Sequence, residues 1–109
     1  MKIVNLTPHS VNLFNNHTGA YDAIAPSGIV ARVAATTVPC GTVGAYAATT
    51  TSYGDVENLP EPEPETIYVV SSIVAQRVPE RDDVYIPNES VRDESGRIVG
   101  CRSLGKRGG

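Results

Sequence analysis

TIYVVSSIVAQRVPERDDVYIPNESVRDESGRIVGCR, residues 66–102, is the stretch whose reading decides the fold. Thr66 to Val70 carries no charge and is apolar on both faces of an extended chain, the pattern of a central strand. Ser71-Ser72 then changes the chemistry. Either serine can cap a helix by accepting from its first free N–H groups. Ile73 to Val78 supplies about two turns before Pro79 stops them. Pro79 to Asp83 is a charged loop. Val84-Tyr85-Ile86 reads as a strand ended by Pro87-Asn88. Val91 to Val99 reads as a hairpin, with Asp93 opening its turn, Gly96 supplying the left-handed residue, and Val91 returning against Ile98 or Val99.

The rest of the chain fits the same class. Val occurs 14 times, Ile 7, Thr 9 and Leu only 4, and β-branched side chains suit a pleated surface. The 10 Gly and 8 Pro punctuate the sequence often. At 109 residues this is one domain with room for a modest core. The expected fold is mainly β or α+β, with six to eight short strands and one short helix after Ser72.

Lys2 to Thr7 reads as a first strand, Pro8 as the bend of an N-terminal hairpin, and Val11 to Phe14 as its return. Asn15 to Gly19 turns the chain into a third strand, Ala20 to Ala25. Ile29 to Val38 is a β-branched run with a single charge, Arg32. Pro39-Cys40-Gly41 reads as a turn, and Thr42 to Tyr53 as a strand pairing with the next segment in weakly specified register. Pro60 to Glu65 alternates Pro and Glu and reads as an exposed, stiff linker inside a domain spanning 1–104. Residues 105–109 lack periodicity and read as a disordered tail.

Charge and cysteine usage restrict the function. The net charge of −3 argues against nucleic-acid binding. Two cysteines, Cys40 and Cys101, are too few for a disulfide scaffold and read as small buried hydrophobes. With no apolar run fit for a signal peptide or a membrane span, a cytoplasmic setting with reduced thiols is expected. No cofactor is expected. His9 and His17 lack the spaced partners a metal site needs. Ser71-Ser72 lacks the glycine flanks of a nucleophile elbow.

Several motifs resemble short uncharacterised proteins of phages and prophages. They are the opening Asn5-Leu6-Thr7-Pro8-His9, the middle Pro26-Ser27-Gly28 with Arg32, and the close with Tyr68-Val69-Val70-Ser71, Arg81-Asp82-Asp83-Val84, Arg92-Asp93 and Gly96-Arg97-Ile98-Val99-Gly100-Cys101. The resemblance spans most of residues 3–102. It implies a setting rather than a chemistry: small phage proteins that bind something of the host, by analogy with oligomeric sponges that sequester the nucleotide signals of antiviral defence.

Binding of a phosphorylated ligand calls for arginine forks, hydroxyls and exposed N–H groups. The candidate ligand-binding residues are His9, Arg32, Ser71, Ser72, Arg81 and Arg92. The competing reading pairs Arg81 with Asp82 or Asp83, and Arg92 with Asp93 or Glu94, as solvated ion pairs. The leading expectation is a non-enzymatic anti-defence protein sequestering a nucleotide-like signal. Strand edges and segregated charge point to a homo-oligomer. The alternatives are a protein-binding or virion-accessory module docking through residues 60–65 or the basic tail onto a host protein, and a small hydrolase or lyase using His9.

Overall fold

The computed structural model describes residues 1–106. Among the described residues the fold is mainly β: eight strands and one short helix. The strands are β1 (Lys2–Asn5), β2 (Val11–Phe14), β3 (Tyr21–Ile24), β4 (Arg32–Val43), β5 (Tyr46–Glu57), β6 (Thr66–Val69), β7 (Val84–Arg92) and β8 (Ile98–Gly105), with α1 (Ser72–Arg77) between β6 and β7. Six strands form one sheet in the order β1-β6-β7-β8-β2-β3, and β4 and β5 form a separate hairpin. Asn5 at the end of β1 bridges to Pro26 just beyond β3. The two edges of the sheet thus meet, and it closes nearly into a barrel.

β6 is central, as its uncharged sequence requires, with β1 and β7 parallel on either side. A parallel neighbour needs a crossover of a dozen or more residues. Residues 70–83, with α1, supply it. The helix buries Val74 and Ala75, which join Leu6, Ala31, Tyr68, Val70, Val84 and Ile86 in the core. Full burial of a side chain such as Val74 contributes about 1.5–3 kcal/mol. Gly96 turns β7 into β8 at φ 86°, and Asp93 Oδ1 accepts from the Ser95 and Arg97 N–H groups around it.

Several expectations are corrected. β1 and β2 do not form a hairpin: β1 pairs with β6, while β2 lies between β3 and β8. Pro8 belongs to a loop joining strands that do not pair with each other. Pro39-Cys40-Gly41 is not a turn but lies inside β4, where the register shifts between Pro39 and Thr42. Among the described residues β4 has one edge that no strand uses, and proline is tolerated on such an edge because no N–H is needed there. The turn falls instead at Gly44, φ 60°. β5 pairs back onto β4 and not onward to β6.

Pro87 likewise fails to end β7, which runs to Arg92. Ile98 faces Arg92, and Val91 faces Gly100. Ser71 occupies the helix N-cap in extended conformation but makes no side-chain cap bond. β8 reaches Gly105, one residue into the stretch read as a tail, and residues 107–109 lie outside the described part.

The Pro/Glu segment has exposed side chains at Glu61, Glu63 and Glu65, but its backbone is tied to the core. The Tyr68 hydroxyl donates to Glu61 O at 3.1 Å, Arg81 Nη2 donates to Pro60 O at 2.9 Å, and Lys2 N donates to Glu65 O at 2.7 Å. Tyr68→Phe is expected to lower stability by about 1 kcal/mol. It should also speed amide exchange and proteolytic nicking at 60–65, both readable against urea unfolding of the same variant. Unchanged exchange in that segment would show that the phenol does not hold it.

Candidate functional site

The site is built on the loop that leaves β1. Asn5 is 1 % exposed, and all of its side-chain polar capacity is engaged inside the protein. Its Oδ1 accepts from Thr7 N at 2.9 Å and from Thr7 Oγ1 at 2.6 Å. Its Nδ2 donates to His9 O at 2.8 Å and Ile24 O at 2.9 Å. Its main-chain oxygen accepts from Ser27 N, and Leu6 O accepts from Ala31 N. One side chain therefore shapes the loop of residues 5–9 and fastens it across the seam where β1 meets the end of β3.

That fastening sets Thr7 and Pro8 against the start of β4 and the start of α1. Between them lies a groove of about 270 Å³, lined by Thr7, Pro8, Arg32, Val33, Ser71 and Ile73 among others. Val33 and Ile73 give it an apolar wall. The single Thr7 hydroxyl proton is shared between Asn5 Oδ1 and His9 O, both within 2.9 Å, so it is committed to the loop. Arg32 carries the charge. Its side chain is 71 % exposed, and its ion-pair contact is a 3.5 Å approach of Nε to Glu57. A pair that exposed and that long contributes about 0–1 kcal/mol and leaves most of the guanidinium donors for a ligand.

Of the six candidate residues, Arg32 and Ser71 line this groove. Ser72 and His9 adjoin it in sequence, and both are exposed. α1 is only six residues long, too short for a strong N-terminal dipole. Arg81 and Arg92 lie elsewhere. Arg81 makes a two-pronged ion pair with Asp83, at 2.8 and 2.9 Å, and lines a different depression with Val78, Asp82 and Lys106. Arg92 does not pair with Asp93 or Glu94; its Nη1 donates to Gly96 O at 2.7 Å across the β7–β8 turn.

Asn5 is the residue that sequence reading missed as a working part. The signal was present in Asn5-Leu6-Thr7, because an Asn oxygen commonly accepts from the N–H two residues on. Cys101 is buried, as expected, and burial pushes its thiol up. Cys40 is exposed on β4, contrary to expectation, because the strand that carries it has nothing packed over it. Among the described residues, no three His, Cys, Asp or Glu side chains are placed to share a metal ion. Among the described residues, no helix is long and apolar enough to cross a membrane.

Fold and groove together define a small mainly β domain: a nearly closed six-stranded sheet, one crossover helix and a projecting hairpin. Comparison of the chain with family models, with curated proteins and with solved structures finds no match.

Proposed function

We propose that this chain is a non-enzymatic binding protein of phage or prophage origin that sequesters a nucleotide-like signal of host defence in the Thr7–Arg32–Ser71 groove. The observation that carries this reading is Arg32, a largely exposed guanidinium with one long contact, set beside a hydroxyl and an apolar wall. An arginine fork suits a phosphate, Ser71 adds a donor or acceptor, and Val33 with Ile73 offers a surface for a base. At about 270 Å³ the groove lies at the lower edge of ordinary ligand pockets, which favours a small ligand over a large one.

Mass spectrometry of small molecules released from protein purified out of defence-active cells tests this. A nucleotide-like species is expected, and it should raise the melting temperature when added back. Arg32→Ala should weaken its binding about 10- to 100-fold, the effect of losing charge-assisted hydrogen bonds. The variant's own melting temperature should barely move. If nothing nucleotide-like is released and no nucleotide shifts the melting temperature, the reading is wrong.

A further inference from the structure

The β4–β5 hairpin stands apart from the rest of the molecule. It is hydrogen-bonded to no third strand among the described residues. Along both strands only Val33, Ala48 and Val56 are even half-buried. Val33 and Val56 pack on the core at its base, where Arg77 Nη2 also donates to the Tyr53 and Gly54 carbonyls. Beyond that base the arm is bare. It exposes 68 % of Val43 and 76 % of Tyr46, together with much of Val38 and Tyr53. A two-stranded hairpin standing free in water is marginal at best.

The whole molecule records the same excess. Its radius of gyration is 16.8 Å, against about 13 Å for a compact chain of this length. It exposes 7419 Å², where a compact monomer of this mass exposes about 5,800 Å². The surplus of about 1,600 Å² per chain comfortably covers the roughly 800 Å² per partner of a standard stable interface.

Charge decides what covers the arm. No charged residue falls between Val33 and Gly54, so all 21 charges of the chain lie outside that stretch. A strand edge that must stay single is normally guarded by lysine or another charge, and this one is not. A charged partner would be stripped of water against the arm without finding a counter-ion. A second copy of the arm is a neutral partner of matching shape. Its threonines already pair across strands, Thr37 Oγ1 lying 3.0 Å from Thr51 Oγ1.

The two edges are not equivalent. The β4 edge contains Pro39, which lacks an N–H, and β4 carries the extra residue where the register shifts between Pro39 and Thr42. β5 has no proline, and Arg77 occupies it only at Tyr53 and Gly54. Among the described residues its outer edge is therefore free from Tyr46 to Ser52, a run centred on Thr49. We infer that two copies of this chain associate about a two-fold axis through their arms, β5 lying antiparallel to β5 around Thr49. The pairing makes one four-stranded sheet, satisfies the backbone groups along the β5 edge and sets Tyr46 of each copy opposite Ser52 of the other.

Size-exclusion chromatography with light scattering, on full-length protein without nucleotide, tests the inference together with two variants. The wild type should run at twice the chain mass or a higher multiple. Thr49→Asp sets like charges opposite one another at the axis. It should raise the dissociation constant at least tenfold while leaving the circular dichroism unchanged. Thr49→Cys in a Cys40→Ser background should form a disulfide dimer on mild oxidation, because facing positions of an antiparallel pair bring Cα atoms within bridging distance. This last result decides the matter if Thr49→Asp fails to fold. A monomeric wild type, a Thr49→Asp protein of unchanged mass, or a Thr49→Cys protein that does not cross-link would overturn the inference. A dimer that holds no nucleotide would instead count against the proposed function alone.

Discussion

Asn5→Ala is expected to lower stability by about 4 kcal/mol, a large share of the 5–15 kcal/mol that holds a typical domain folded. The asparagine makes four side-chain hydrogen bonds from a position that is 1 % exposed. Each bond contributes about 1 kcal/mol net, and truncation also strands its partners. Those partners lie on both sides of the seam, at Thr7 and His9 in one loop and at Ile24 in β3. The loss therefore loosens the loop and the closure of the sheet together, and hydrogen exchange should rise at Leu6, Ser27 and Ala31 in step.

Asn5→Asp sharpens the test. It keeps an acceptor for Thr7 but sets a carboxylate oxygen against the carbonyls of His9 and Ile24. Burial among acceptors holds that carboxyl above its ordinary value, so the destabilisation grows as pH rises through the ordinary aspartate value of about 3.9. It should be smaller in acid, where an O–H can donate. Asn12→Ala, which loses one exposed bond to Val99 O, is the control and should cost less than about 1 kcal/mol. A loss at Asn5→Ala no larger than this control would mean that the seam is held by other contacts. The measurement is urea unfolding, followed by circular dichroism.

The same residue shows where sequence reading ends. β6, α1 and the Asp93–Gly96 turn were legible because each is specified within about ten residues: an uncharged β-branched run, a Ser before an apolar stretch, a Gly where φ must be positive. The pairing of β1 with β6 joins Lys2 to Thr66, and no local pattern reports it. Nearest-neighbour pairing into a hairpin was the natural expectation, and topology overrode it. Pro39 and Pro87 misled for a related reason. Proline marks a break only when its N–H would be needed, and Pro39 sits on an edge that no other strand uses. The site divides in the same way. Arg32 and Ser71 were legible as chemistry, but their convergence on one groove depends on Asn5, whose role appears only once β3 is brought against it.

The second large effect lies at Arg81 and Asp83, which the sequence offered both as ligand binder and as ion pair. Arg81 Nε and Nη2 donate to the two Asp83 oxygens, and the side chains are only 16 % and 17 % exposed. Arg81 also holds Pro60 O, and Asp83 O accepts from Tyr68 N, so the pair ties the Pro/Glu segment to β6. Removing one partner leaves a largely buried charge unpaired, which commonly costs 3–5 kcal/mol. With a sixth of each side chain in water, Asp83→Asn is expected at the low end, about 3 kcal/mol at pH 7.

Replacing both residues, Arg81→Met with Asp83→Leu, should cost much less than either single change, because no stranded charge remains. The hydrogen bond from Arg81 holds the Asp83 carboxyl below its usual range, with burial opposing. A lowered folded value means that the carboxylate's contribution is fully present above the ordinary aspartate value of about 3.9 and is lost as pH falls through the folded one. Urea midpoints of the wild type and Asp83→Asn should therefore lie far apart at pH 7 and converge in strong acid. A gap that stays constant down to the lowest accessible pH would refute the assignment of that stability to the Asp83 charge. Equal losses in the double and single variants would show that the pair's partners, rather than its charges, are what the fold requires.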